Sequence, residues 1–178
     1  MRILVFGATG SIGIQTIDVI KKLKHQLVGF SFYKNSKKAA AIIKNTKVKY
    51  YYSPINKKLS NVNSFQELIS RTKPDLIVNA IIGFAGLDVT LLAIKNKINI
   101  ALANKESLVV AGRFILSLAK KNNVKIFPID SEHSAIYQAL LGRKEQLKTI
   151  YITASGGPFY NKKNTLNVSY KQATKHPK

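Results

Sequence analysis

Apolar and polar positions alternate along this chain between two periods. The run "RILVF" (residues 2–6) is short, rich in branched side chains and closed by a glycine turn, so it predicts a buried strand. In "SIGIQTIDVIKKL" the period lengthens: Ile12, Thr16, Val19, Ile20 and Leu23 recur at helical spacing and predict a helix that buries that stripe. "QLVGFSFY" reads as a second strand, and "SKKAAAIIKN" as a short helix with Ser36 at its N-cap. "VKYYYS" is a third strand, and the polar loop "PINKKLSNVN" follows it. Ser64 with Glu67 three residues on predicts a capping box for the helix "FQELISR", which Pro74 ends. "DLIVNAII" is apolar nearly throughout, as a strand covered on both faces of a parallel sheet must be. The helix "LDVTLLAIKN", the strand "INIALA" and the helix "ESLVVAGRFILSLAKK" continue the pattern.

Strand–helix alternation at this spacing predicts an α/β fold, a Rossmann-like doubly wound parallel sheet with right-handed crossovers. A second unit is expected after it, opening with "VKIFPID", a helix from Ser134 and the strand "KTIYITAS". The division expected is residues 1–122 for the first domain and 123–178 for the beginning of an α/β catalytic domain that looks cut off, its end "YKQATKHPK" bringing no closing element.

Composition narrows the function. A hydrophobic share of 46% and a mean hydropathy of -0.03 allow an ordinary core. No apolar run approaches the roughly 20 residues of a membrane span, and the N-terminus lacks the features of a signal peptide. Without cysteine there is no disulfide, no thiolate nucleophile and no cysteine-held metal, and a cytoplasmic protein is expected. The 29 Lys+Arg against 8 Asp+Glu give a formal charge of +21. The lysines are scattered among many Asn, Ile and Tyr, a mixture that an A/T-rich genome encodes, and there is no aromatic-interleaved basic patch. No nucleic-acid partner is therefore expected, whereas an anionic substrate and cofactor would feel the same field.

In open α/β sheets, ligands bind beyond the carboxyl ends of the strands, and each unusual stretch here falls at such a place. "GATGSIG" puts Gly7, Gly10 and Gly13 after the first strand. It reads as a close approach to a pyrophosphate met by the helix start at Ser11 and Ile12, or as a tight strand–helix turn. The second strand ends in Ser31, Lys34, Asn35, Ser36 and Lys37, without the acidic residue that binds the ribose of NAD. That corner suits the 2′-phosphate of NADP, or is simply a solvated helix start. Asn104, Lys105 and Glu106 stand between a strand end and a helix start, where Glu106 matches the helix dipole and Lys105 offers a fixed cation to an anionic substrate. In extended backbone Asp130 and Glu132 point to one side and could share a hard cation, Mg²⁺ or Mn²⁺; the alternative is helix capping by Asp130. His133 reads as a surface or capping residue. "TASGGPF" makes a glycine turn in which Ser155 and backbone N–H groups could hold a phosphate.

Taken in order, "GATGSIG", "AIIGFAGL", "NKESLV", "PIDSEH", "SGGPF" and the "HP" of His176 and Pro177 resemble the N-terminal half of the 1-deoxy-D-xylulose 5-phosphate reductoisomerase family. The resemblance implies an NADPH- and divalent-metal-dependent enzyme of non-mevalonate isoprenoid synthesis. Its substrate would be a phosphorylated ketose, rearranged by retro-aldol and aldol steps and then reduced to 2-C-methyl-D-erythritol 4-phosphate. By the same resemblance Thr9, Gly10, Ser11 and Ile12 hold the cofactor phosphates, Lys34 and Asn35 the 2′-phosphate end, and Asn104 and Glu106 contact the cofactor. Lys105 and Ser131 touch the substrate, Ser155 and His176 approach its phosphate, and Asp130 and Glu132 bind the metal, with Glu132 also at the substrate. In that family a lid loop, a third metal carboxylate and a helical C-terminal domain come later in the chain, and a homodimer is the habit. The alternative expected is a truncated, non-catalytic NADP-binding remnant, or a half needing its C-terminal part in trans. A semialdehyde dehydrogenase is disfavoured, because such enzymes use a cysteine.

Overall fold

Six strands, β1 (Arg2–Phe6), β2 (Gln26–Ser31), β3 (Tyr50–Tyr52), β4 (Leu76–Asn79), β5 (Asn99–Leu102) and β6 (Ile126–Pro128), pair in parallel in the order β3-β2-β1-β4-β5-β6. This is the doubly wound arrangement, with the order reversing between β1 and β4. The computed structural model describes residues 1–153, 156–161 and 167–175. Its contacts divide the chain into Met1–Tyr137 and Gln138–Lys178. β6, the strand at the start of "VKIFPID", adds to β5 as the edge of the same sheet.

The pleat sorts the core into two layers. From β1, Leu4 and Phe6 join a cluster with Leu68, Val89, Ala93 and Ile115, from α3 (Phe65–Thr72), α4 (Gly86–Lys95) and α5 (Lys105–Lys121). Ile3 and Val5 point the other way, to Ile20, Ala39 and Ile42 of α1 (Ser11–Lys22) and α2 (Ser36–Thr46). A strand that is buried on both faces needs apolar side chains at consecutive positions, which is why "ILVF" and "LIV" carry no alternation.

Several local expectations change. The face of α1 is rotated: Gly13 and Ile20 are buried, while Ile12, Val19 and Leu23 are exposed. Gly13 sets that face, because it is pressed against the backbone of Gly7 and Ala8 and no side chain fits between them. The N-cap of α2 is Asn35, whose side-chain oxygen accepts the Lys38 N–H at 3.0 Å; Ser36 is the first helical residue. At α3 only half of the capping box forms. Ser64 accepts from Glu67 N–H at 3.0 Å, but the Glu67 carboxylate reaches one residue further back, to Asn63 N–H at 2.9 Å. The helix expected from Ser134 begins three residues earlier, as α6 (Ser131–Ala139). Residues 148–153, the described part of "KTIYITAS", form no strand. A strand exists only with a ladder partner, and among the described residues beyond Ala139 there are only a 3₁₀ turn (Lys144–Gln146) and the short α7 (Tyr170–Ala173).

The Asn63 backbone N–H, then its side chain and Arg71, hold the Glu67 carboxyl below its ordinary value of 4.5. A depressed carboxylate adds stability above its unfolded pKa and loses it as pH falls through the folded one. Glu67→Gln should therefore melt below the wild type at pH 7, and the gap should close below about pH 4. Melting curves at the two pH values check this.

Each of the first five helices is followed within two residues by a residue in the left-handed region, and none of them is glycine: Lys24, Lys47, Lys73, Lys97 and Asn123, with φ between 42° and 56°.

Candidate functional site

The carboxyl ends of β1, β2, β4, β5 and β6 carry the candidate residues. After β1 the chain turns at Gly7, whose φ is +80° and where a Cβ would stand 2.5 Å from the Ala80 carbonyl oxygen. The turn is fixed from β2: Gly7 N–H donates to Ser31 Oγ at 3.2 Å, and Ala8 N–H to the Ser31 carbonyl at 2.9 Å. Ser31, 2% exposed, is thus part of the scaffold and not of the cationic corner. Gly10 stands at the N-cap of α1 and, having no side chain, leaves that helix without a side-chain cap. The first N–H groups of α1, at Ser11 and Ile12, are the kind that receive an anion. Thr9 and Gly10 are half-buried beside them.

The end of β2 presents Lys34 with its ammonium 5.5 Å from the Tyr33 ring centroid. Asn35 spends its side-chain oxygen on capping α2, and Ser36 Oγ accepts from Asn56 Nδ2 at 2.9 Å. Lys34 therefore offers its charge beside a helix start that is already capped.

Asn104 is 2% exposed, and its hydrogen bonds run inward. Its Nδ2 donates to the carbonyls of Ile81 (2.8 Å) and Gly83 (2.9 Å) and to Glu106 Oε2 (3.1 Å), while Oδ1 accepts Ser107 N–H at 3.0 Å and the Ser107 hydroxyl. Glu106 Oε1 accepts Gly83 N–H at 3.2 Å. The two residues lace the start of α5 to the loop after β4.

Lys105 turns the other way. Its Nζ lies 3.1 Å from Asp130 Oδ2, and His133 Nδ1 lies 2.8 Å from Asp130 Oδ1. Because α6 already starts at Ser131, Asp130 and Glu132 do not share one side of an extended strand. Asp130 precedes the helix and Glu132 stands in its first turn, accepting from Ser131 Oγ at 2.7 Å. Burial pushes the Asp130 carboxyl up, but hydrogen bonds from His133 and Lys105 outweigh it and hold the group below the usual range. The Asp130 bond raises Lys105 in turn. Glu132 is lowered first by Ser131, against the push of the Asp130 charge. Both groups are thus anionic near neutrality, with the Lys105 ammonium standing against Asp130. All-oxygen donors of this kind suit Mg²⁺ or Mn²⁺; among the described residues no three acidic or histidine side chains gather as a metal-holding group.

Ser155 and His176 lie outside the described residues. Sequence reasoning missed the His133–Asp130 contact, although an i, i+3 pair at a helix start was there to be read. It also missed Asn79, Thr90 and Ser107, which are polar residues inside apolar runs. A cavity of about 930 Å³ between α1 and α2 opens at the amino ends of the strands and touches none of these groups.

Glycine turn, strand order and covered faces define a Rossmann-like α/β protein. The family model described as 1-deoxy-D-xylulose 5-phosphate reductoisomerase matches residues 3–112, and that of its C-terminal domain matches residues 126–178. The chain belongs to the 1-deoxy-D-xylulose 5-phosphate reductoisomerase family. It is similar to the reductoisomerase of Malacoplasma penetrans, 48% identical over 178 residues, which are 99% of this chain and 47% of that protein. It is also similar to that of Mycoplasmoides gallisepticum, 46% identical over 182 residues, 99% of this chain and 50% of that protein. Among solved structures, a DOX-P reductoisomerase in complex with NADPH, fosmidomycin and magnesium is 33% identical with a TM-score of 0.82, over 99% of this chain and 51% of that one. The Zymomonas mobilis enzyme in complex with NADPH is 34% identical with a TM-score of 0.75, over 90% of this chain and 47% of that one. The chain spans about half the length of the curated relatives it matches.

Proposed function

We propose that this chain carries the NADPH-binding part and two metal-binding carboxylates of a reductoisomerase converting 1-deoxy-D-xylulose 5-phosphate to 2-C-methyl-D-erythritol 4-phosphate. Residues 1–122 serve the cofactor and 123–178 begin the catalytic part, in a cytoplasmic and dimeric enzyme. The supporting observation is Asp130, held anionic between Lys105 and His133 beyond the carboxyl ends of the strands, as the glycine turn also is. When bound, NADPH supplies a hydride and the divalent cation polarises substrate oxygens.

The chain's own residues bind and orient. N–H groups at Thr9, Ser11 and Ile12 receive the cofactor phosphates, Gly10, whose own N–H donates to the Gly7 carbonyl, gives them close approach, and Lys34 with the Asn35 amide receives the 2′-phosphate. Asp130 and Glu132 would hold the cation, and Lys105 would meet the substrate anion beside Ser131. Asn104 and Glu106 act on the cofactor through the loop they fasten, and Ser155 and His176 are assigned to the substrate phosphate.

The test is consumption of NADPH by the purified chain with 1-deoxy-D-xylulose 5-phosphate and Mn²⁺. A second reading, a chain that binds NADPH without turnover, is favoured by the lack of a third acidic ligand among the described residues; binding without consumption would select it. Replacing Lys34 by alanine should weaken NADPH about tenfold, the worth of one charge-assisted hydrogen bond, and leave NADH unchanged. Parallel fluorescence titrations read both, and equal losses would remove Lys34 from the 2′-phosphate.

A further inference from the structure

Asn79 is a polar residue on the central strand β4, 0% exposed, where the neighbouring positions are apolar. An amide in a core is unfavourable unless every polar atom is paired, and here each one is. Nδ2 donates to the Gly86 carbonyl at 2.7 Å and to Thr90 Oγ1 at 3.0 Å, and Oδ1 accepts Ile81 N–H at 3.3 Å. Thr90, also 0% exposed, donates in turn to the Gly86 carbonyl at 3.1 Å. One side chain thus clasps both ends of the loop at residues 80–86.

That loop is confined on its remaining sides. Its first carbonyl, at Ala80, abuts Gly7 of the phosphate-type turn, and at Gly86 a Cβ would stand 2.4 Å from Asn104 Cγ. Above it, Asn104 and Glu106 take the backbone of Ile81 and Gly83. What the loop offers outward is apolar: Ile82 is 85% exposed and Phe84 67%. In the strand order, β4 flanks β1 on the side away from β2. A dinucleotide whose adenosine half runs toward Lys34 at the end of β2 must lay its other half over β4 and β5.

We propose that Asn79 and Thr90 are positioning residues that hold the loop at residues 80–86 in the shape that receives the nicotinamide half of the cofactor. The proposal rests on the NADPH reading above. It explains why a buried strand keeps an amide where leucine or valine would pack: the apolar side chain would leave Ile81 N–H and the Gly86 carbonyl without this partner.

Titration of the 178-residue protein with NADPH and with 2′,5′-ADP, which lacks the nicotinamide half, tests it. Asn79→Ala and Thr90→Val should each weaken NADPH about tenfold, as expected for losing buried hydrogen bonds, and leave 2′,5′-ADP within about twofold. Thr90→Ser, which keeps the hydroxyl, should bind NADPH like the wild type. Equal weakening of both ligands would mean a general loss of structure and would overturn the positioning role, as would no change in either. If Asn79→Ala does not fold, the Thr90→Val and Thr90→Ser pair decides. A wild type that binds 2′,5′-ADP but gains nothing from the nicotinamide half overturns the inference alone. A wild type that binds neither removes the cofactor reading and this inference with it.

Discussion

Gly13→Ala should destabilise the protein and loosen its grip on NADPH, even though alanine is the better helix former. In an exposed helix the exchange would gain about 1 kcal/mol. At this position the new Cβ would stand 2.3 Å from the Gly7 carbonyl oxygen and 2.6 Å from Ala8 Cα. These are backbone atoms of a turn tied to Ser31, and no flexible side chain can yield. Overpacking of this kind typically costs about 1–3 kcal/mol, and backbone against backbone lies at the upper end. A net loss of about 1–2 kcal/mol is expected, or several degrees in the melting temperature. Relief comes by moving α1 outward, which carries the N–H groups of Ser11 and Ile12 away from the anion, so NADPH should weaken by about tenfold or more. Denaturant melts and NADPH titration read the two effects. A variant more stable than wild type would show that α1 and the turn are not in this contact.

Asp130→Asn should lower Mn²⁺ affinity roughly a hundredfold, since one of two charged oxygen ligands becomes neutral. The substitution separates the two roles weighed for this residue. Asparagine caps helices about as well as aspartate, so a purely capping Asp130 would tolerate the change, in stability and in metal titration alike. A ligand would not. Lys105 provides a second readout. Its pKa is raised chiefly by the bond to Asp130, so in the variant it should fall back toward 10.5 and be acylated faster above neutral pH. Calorimetric titration with Mn²⁺ alone decides the first point, and an unchanged isotherm would return Asp130 to the helix.

These two residues also show which features can be read from sequence. Strands buried on both faces announce themselves, because consecutive apolar side chains have no other use, and the glycine turn followed by a helix was equally plain. The face of α1 was not, because the pattern counts side chains and the decisive position, Gly13, has none. "KTIYITAS" has strand composition, yet a strand also needs a neighbour, and the ladder is not written in the segment itself. Lys105, Asp130 and Glu132 were legible as chemistry-bearing residues. Their mutual geometry was not, because it depends on whether the backbone at Ser131 is extended or helical. Asn104 was read as a ligand contact, and only its burial shows it fastening a loop.

The left-handed residues that close the first five helices bear on how this sequence can change. Glycine would occupy such positions without strain, whereas a residue with a Cβ is held there at about 1 kcal/mol or more. Four lysines and an asparagine do so here. Repeated five times, that is a sizeable share of the 5–15 kcal/mol by which a domain typically stays folded. Each such cost leaves less reserve against later destabilising substitutions. Replacing one of these lysines with glycine would return part of that reserve and let the fold absorb a later destabilising substitution.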